Sequence, residues 1–227
     1  MKHLIIGYGE IGKAIDKVLG GVEHMDYMDD VSKADILHIC FGYNSKFVDN
    51  VNKYIIQTGA KLCIIHSTVD IGTTERIGDI AVHSPVRGVH PHLEKGIRTF
   101  VKYFGGTHAR MAANIFSKLG LKTKCFKDSR ITEVGKMMST TNYGWNLLFE
   151  KWLHEYCEDH DVDYNMVYNH FGLTYNAGYS KLGMGHVKRP LYLHMEGKLG
   201  GHCILPNCEI LKDFEPAKII LKKNRTL

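Results

Sequence analysis

Short runs of apolar residues alternate with amphipathic stretches through the first half of the chain: "HLIIG", "EIGKAIDKVL", "VEHMDYM", "ADILHICF", "NSKFVDNVNKYIIQ", "KLCIIHST" and "AVHSPV". Apart from "VEHMDYM", the short runs are largely apolar and do not alternate strictly with polar residues. They predict strands buried on both sides, hence a parallel sheet with helices over each face. "VKYFGG", the helical "ARMAANIFSKLG" and "KTKCF" carry the pattern to about residue 127. The texture then changes. From Arg130 to about His160 there is no proline, apolar residues recur at helical spacing, and Asp128 and Ser129 stand ahead as cap candidates. A second helical piece, "DYNMVYNHFG", is followed by a glycine-rich, basic loop region from "AGYSKLGMGHVKRP" to "KLGGHC" and a last segment, "EPAKIILKKNRTL". The pattern predicts an α/β protein. A doubly wound parallel sheet occupies residues 1–127, and a smaller all-helical domain with a long central helix occupies 128–227.

Composition narrows the chemistry. The 227 residues are 44% hydrophobic and 23% charged, which is ordinary for a globular chain with a sizeable core. The formal charge of +5 is spread out, so no footprint for nucleic acid stands out, and an anionic small molecule suits it as well. No stretch approaches the ~18 apolar residues of a membrane span, and "MKHLIIGYGEIG" is not a secretory signal; a cytoplasmic protein is expected. Six cysteines are scattered without a CxxC pair, so free thiols are expected, with no disulfide framework and no zinc site. Fourteen histidines include His90 and His92 around Pro91 in an expected loop, but no metal-ligand spacing appears.

"GYGEIG" sets Gly7, Gly9 and Gly12 between the first strand and the first helix. Gly7 permits the tight turn, Gly9 lets backbone approach a pyrophosphate, and Gly12 lets helix and strand pack closely. Glu10 and Ile11 open the helix, whose N-terminus attracts phosphates. Asp26 follows about twenty residues after Gly7, where a carboxylate binds ribose hydroxyls and repels a 2′-phosphate, favouring NAD over NADP. Asp29 and Asp30 compete for that role. The alternative is a glycine turn that binds nothing.

"HSTVDIGTTERI" ends a strand and enters a helix. Ligands sit outside the carboxyl ends of parallel strands, so Ser67 and Thr68 are placed for cofactor or substrate, while Thr73 or Thr74 can cap the helix. On the long helix Glu133, Lys136, Thr140 and Tyr143 recur at helical spacing. Lys136 is a candidate proton shuttle or oxyanion clamp, against the commoner solvated lysine. Cys203, in "KLGGHCILPN", reads by itself either as a nucleophile or as a small apolar residue in a tight turn.

Taken in order, "GYGEIG", "STVDIGTT", "TEVGK" and "GGHC" resemble the nucleotide-sugar 6-dehydrogenases, the UDP-glucose, GDP-mannose and UDP-N-acetylhexosamine enzymes. The resemblance implies an NAD-binding Rossmann domain and a primary alcohol of a sugar or nucleotide-sugar as substrate. It implies a double oxidation in which Cys203 attacks the aldehyde and the resulting thiohemiacetal is oxidised to a thioester that is then hydrolysed. Lys136 would stabilise the oxyanion, Thr68 would orient water or substrate, and His202 could help hold a thiolate. Gly200 and Gly201 would let backbone approach the substrate. The chain also departs from that family. A short form without the family's third domain is expected, and Thr140 stands where an asparagine is usual, with Asn142 nearby. Leu205 and Asn207 stand where proline and the hydrolytic aspartate are usual. In "SPVRGVHPHLEKG" Val86 replaces a glutamate, while Arg87, His90 and His92 are new polar groups and Glu94 is a candidate substitute.

Two other readings stand beside this one. The first is a two-electron dehydrogenase of the hydroxyacid and phosphogluconate type, which uses a helix lysine and no cysteine. The second is a non-catalytic NAD-binding sensor or assembly module. The apolar "NYGWNLLFEKW" on the long helix further predicts a homodimer packed through that helix.

Overall fold

The computed structural model describes residues 1–26, 31–200 and 203–227. The chain divides into two compact units, Met1–Met138 and Ser139–Leu227, and the division falls inside the long helix.

The first unit runs β1 (His3–Ile6), α1 (Glu10–Leu19), β2 (Glu23–Met25), β3 (Ile36–Ile39), α2 (Phe47–Thr58), β4 (Leu62–Ile65), α3 (Thr73–Ile77) and β5 (Ala81–His83). It continues with α4 (Leu93–Thr99), β6 (Lys102–Gly105), α5 (Ala109–Ser117), β7 (Thr123–Phe126) and the start of α6 (Arg130–Asp159). The strands form one sheet in the order β2-β1-β3-β4-β5-β6-β7. All neighbours are parallel except β5 and β6, which meet antiparallel through His83 and Gly105.

The uninterrupted apolar runs have a direct cause. Successive side chains point to opposite faces, and both faces are covered. Ile5, Ile64, Val82 and Phe104 join Ile15 of α1, Ile97 of α4 and Phe116 of α5 in one core. Leu4, Leu37, Ile39 and Ile65 join Phe47 and Val51 of α2 in the other. Helix α1 stops at Gly20, whose left-handed φ of 87° suits glycine and lets its N–H reach the Asp16 carbonyl. His90, Pro91 and His92 lie in a loop as expected, and helix α4 starts directly after them, taking up Leu93–Gly96 at the end of "SPVRGVHPHLEKG".

The second unit holds the rest of α6 and a π-helical turn (Asn165–His170) running into α7 (Phe171–Lys181). A short 3₁₀ turn (Gly185–Val187), α8 (Ile204–Ile210) and α9 (Glu215–Asn224) complete it. Helix α7 continues through "AGYSK", where the glycines predicted a loop. Helix α8 was also unexpected; Pro206 is tolerated there because it falls in the first turn, before an N–H is needed. Gly144 on α6 makes room for α8: a Cβ there would meet Ile204 Cγ2 at 2.6 Å. Among the described residues no helix is long and apolar enough to cross a membrane.

Candidate functional site

The sheet order reverses at β1, with β2 on one side and β3 on the other, and open α/β sheets bind ligands at the carboxyl end of such a switch. The glycine turn sits there. A Cβ on Gly7 would meet Phe41 N at 2.7 Å, and one on Gly12 would meet Gly7 O at 2.1 Å, so both positions are closed to side chains. At Gly9 a Cβ would meet nothing within 4 Å. Gly9 also precedes the first turn of α1, where N–H groups lack helical partners. The turn is therefore closed by backbone at both ends, that of Phe41 at Gly7 and its own at Gly12, and open in the middle, which is what a pyrophosphate requires.

Asp26, exposed just after β2, accepts the Tyr8 N–H and is thereby fixed to the glycine turn. Tyr8 is held in turn by Asp16 at 2.8 Å and stacks on His24. Asp26 lines a cleft of about 350 Å³ with Phe41, Tyr43, Asn44, Asn50 and Tyr54. A carboxylate beside aromatic and amide groups fits the ribose and base of a nucleotide. Asp29 and Asp30 lie outside the described residues. Glu10 is exposed in the first turn of α1 and pairs with His90, tying the loop after β5 to the glycine turn; Ile11 packs partly into the core.

The second motif is organised by a residue on another element. Glu133 of α6 is fully buried, and its carboxylate accepts the N–H of Gly72 at 2.7 Å and of Thr74 at 2.9 Å, plus the Thr74 hydroxyl at 2.6 Å. These are the orphan donors of α3, so Glu133 caps that helix from outside, and neither Thr73 nor Thr74 does. Ser67 is buried and donates to the Phe41 carbonyl at 2.6 Å, joining the ends of β4 and β3. Thr68, the next residue, is half-buried.

His83 ends β5 with its ring between Ser67 O at 3.1 Å and Thr132 Oγ1 at 2.8 Å. Burial holds its pKa down to about 3, the Ser67 carbonyl opposing and the charges of Lys102 and Lys136 assisting. The neutral ring therefore donates Nε2–H to Ser67 and accepts the Thr132 hydroxyl at Nδ1. Lys136 is half-buried on the α6 face that carries Glu133, with Thr140 one turn further on. Tyr143 and Asn142 are exposed beyond it. Arg87 lies back on its own unit: it donates to the Val101 carbonyl at 2.7 Å and stacks over Tyr103. Glu94 pairs with Arg98 of the same helix.

In the second unit Cys203 is half-buried immediately before α8. Asn207 follows one turn later, buried, and its N–H reaches the Cys203 carbonyl at 3.3 Å. Its side-chain nitrogen finds no partner among the described residues. Gly200 is exposed, whereas Gly201 and His202 lie outside the described residues. None of the six cysteines is joined in a disulfide, and burial pushes Cys63 up to about 12 and Cys40 and Cys208 upward as well. No group of metal-ligating side chains occurs among the described residues. Glu133 as a cap, and His83, were not singled out from sequence for these contacts, because both act through elements distant along the chain.

No family model and no curated protein sequence matches the chain. Its fold is similar to that of a UDP-D-ManNAc dehydrogenase from Pyrococcus horikoshii, at 16% identity and TM-score 0.79, over 99% of this chain and 68% of that one. A UDP-N-acetyl-mannosamine dehydrogenase from Staphylococcus aureus gives 15%, 0.71, 100% and 68%. A 3-hydroxyisobutyrate dehydrogenase from Mycobacterium tuberculosis gives 13%, 0.65, 97% and 92%. Identities this low establish the Rossmann-type fold and no more.

Proposed function

We propose that the protein is an NAD-dependent oxidoreductase acting on the primary alcohol of a sugar or nucleotide-sugar. The observation that carries this reading is the glycine turn, closed at Gly7 and Gly12, open at Gly9 and tied to Asp26, at the switch point of the sheet. Gly9 and the first turn of α1 would hold the pyrophosphate, and Asp26 the ribose hydroxyls, which disfavours a 2′-phosphate and hence NADP. When bound, the dinucleotide supplies the hydride acceptor.

The chain's own residues take the remaining roles. Lys136 would hold the substrate oxygen as its proton leaves, and Thr68, at the end of β4, would orient substrate or water. Cys203 would add to the aldehyde carbon through its thiolate, giving a thiohemiacetal whose further oxidation leaves a thioester. Asn207, where the resemblance calls for a carboxylate, can orient water for thioester hydrolysis but cannot take its proton. Slow release of the acid is the expected consequence. Supporting the substrate class are the ordered motifs and the fold likeness to two nucleotide-sugar dehydrogenases.

One observation favours a two-electron enzyme as the second reading: the hydroxyisobutyrate dehydrogenase is matched over 92% of its length, against 68% for the nucleotide-sugar enzymes. NADH formed per substrate consumed separates the two, since two equivalents require the covalent route and one excludes it. Cys203→Ser should abolish acid production; undiminished acid would remove the cysteine from the mechanism. NAD binding without turnover across a nucleotide-sugar panel would instead favour the sensor or assembly reading.

Self-association through the helical unit belongs to the same proposal. Phe149 of α6 and Phe171, Leu173 and Leu182 at and beyond α7 are exposed, more apolar surface than a lone soluble unit ordinarily leaves bare. A monomer by sedimentation at micromolar concentration would refute it. Six free thiols fit a reducing compartment, and the cytoplasm is the proposed location.

A further inference from the structure

Three imidazoles stand in line inside the sheet unit. His3 Nδ1 lies 2.9 Å from His38 Nε2, and His38 Nδ1 lies 3.1 Å from His66 Nε2. His66 Nδ1 lies 3.1 Å from the Ser84 carbonyl, and Lys102 Nζ lies 3.0 Å from that carbonyl and 3.4 Å from His66 Nδ1. The row crosses from β1 through β3 and β4 to β6. These positions share one face by strand alternation, alongside Ile5, Ile36, Ile64 and Phe104. The rings lie end to end in nearly one plane, with interplanar angles of 14° and 7°, and Phe116 meets His38 and His66 edge-on.

The two ends differ. His38, His66 and Lys102 are buried. His3 is half-buried and lines a pocket of about 640 Å³ at the amino end of the strands, with Met1, Asp35, Lys61 and Lys118. Nothing in the cofactor reading uses this row.

Hydrogen-bond direction along the row has two complete solutions that need no heavy atom to move. With Lys102 as an ammonium, it donates to Ser84 O and to His66 Nδ1, and each ring carries its proton on Nε2 and donates toward His3. With Lys102 as an amine, each ring carries its proton on Nδ1, and the row runs the other way, from His3 Nδ1 to His38 Nε2, from His38 Nδ1 to His66 Nε2, and from His66 Nδ1 to Ser84 O. The two states differ by one proton.

We propose that His66, His38 and His3 are a proton relay through which the buried Lys102 amine exchanges its proton with the pocket at the amino end of the sheet. In the outward step an N–H bond of Lys102 breaks and one forms at His66 Nδ1. The Nε2 proton of His66 passes to His38 Nδ1, that of His38 Nε2 passes to His3 Nδ1, and that of His3 Nε2 leaves to water. No ring is left charged and no oxidant is involved. Uptake is the reverse.

The groups facing the row set its working range. Lys102 is faced by Arg87 of the loop after β5, by Cys40 at the end of β3, and by the rings of Phe104 and Phe116. His66 is also faced by His83, and His3 by the N-terminal ammonium and Asp35. Burial lowers Lys102 to about 7, with Cys40 opposing and Arg87 assisting, and it holds His38 and His66 well below the ordinary histidine value. Both states are then accessible near neutrality with neutral rings.

The test is ¹⁵N-histidine NMR of the whole chain between pH 5.5 and 9, which reads the tautomer of each ring directly. The relay predicts that His38 and His66 change together from Nε2–H to Nδ1–H as Lys102 loses its proton. It also predicts that Lys102→Met holds both rings as Nδ1–H at every pH. Tautomers that stay constant in the unaltered protein, or a switch that survives in Lys102→Met, would overturn it. Methionine is an apolar match for the buried stem, so the variant tests the relay without removing packing.

Discussion

The sheet unit and the helical unit solve the same problem differently. In the first, β3, β4 and β5 are buried along their whole length while the edge strand β2 is mostly exposed, and key buried polar groups find partners across elements: Glu133 with α3, His83 with Thr132 and Ser67. In the second, neither the π-helical turn nor α7 fully buries any residue, and Phe171, Leu173, Leu182 and Leu193 are all more than 60% exposed. The second leaves more large apolar side chains bare than the first, which is why the proposed self-association is placed there.

The substitution expected to remove both stability and dinucleotide binding is at Gly12. With Gly7 O 2.1 Å from where a Cβ would stand, Gly12→Ala must push α1 off β1. The expected cost is about 3 kcal/mol, as for overpacking of a tight core, with loss of dinucleotide binding. Urea unfolding and NADH fluorescence measure the two effects.

A matched pair of phenylalanines sharpens the difference between the units. Phe116 is fully buried on α5, and Phe116→Ala should cost about 3–5 kcal/mol in urea unfolding. Phe171 is 71% exposed, and Phe171→Ala should cost less than about 0.5 kcal/mol while lowering the sedimentation coefficient. Equal costs would mean that Phe171 is covered within the chain.

Lys102 is next. Its pKa falls to about 7 in the folded state from an ordinary 10.5, so between those values the unfolded chain binds more protons and stability rises with pH. His83, lowered to about 3 from 6.5, acts with the same sign across that lower window, losing stability as pH falls. Lys102→Met should therefore stabilise at pH 7, on the order of 1–4 kcal/mol, with the gain shrinking toward pH 10. Thermal unfolding at several pH values reads it. A constant gain would contradict the buried amine.

A loss smaller than at Gly12 or Phe116 is expected at Glu133. Glu133→Gln keeps the shape but puts an NH2 donor where one carboxylate oxygen accepts, so at least one of the three bonds to α3 is lost and the others lose their charge, at a cost of about 2 kcal/mol. Faster hydrogen exchange at the Gly72 and Thr74 amides would localise the loss.

Much of this was legible in the sequence because it is local. Apolar runs of four residues between amphipathic helices gave away the buried sheet, and Gly7, Gly9 and Gly12 could be read from their place between strand and helix. The antiparallel β6 was not legible, since a short apolar run does not encode its direction. Helices α4 and α8 are only seven residues each, and His92 and Pro206 at their starts read as loop. Three buried histidines and Lys102 were missed because each finds its partner on a neighbouring strand. Spacing along one chain cannot reveal such pairs.

Gly9 offers the most direct test of the cofactor claim, because its side-chain space is empty in the folded protein and needed only by a ligand. Calorimetric titration with NAD should give saturable binding to the unaltered protein, and none to Gly9→Val at unchanged thermal stability. No binding by the unaltered protein, or equal binding by both, would contradict the assignment of a dinucleotide to this turn.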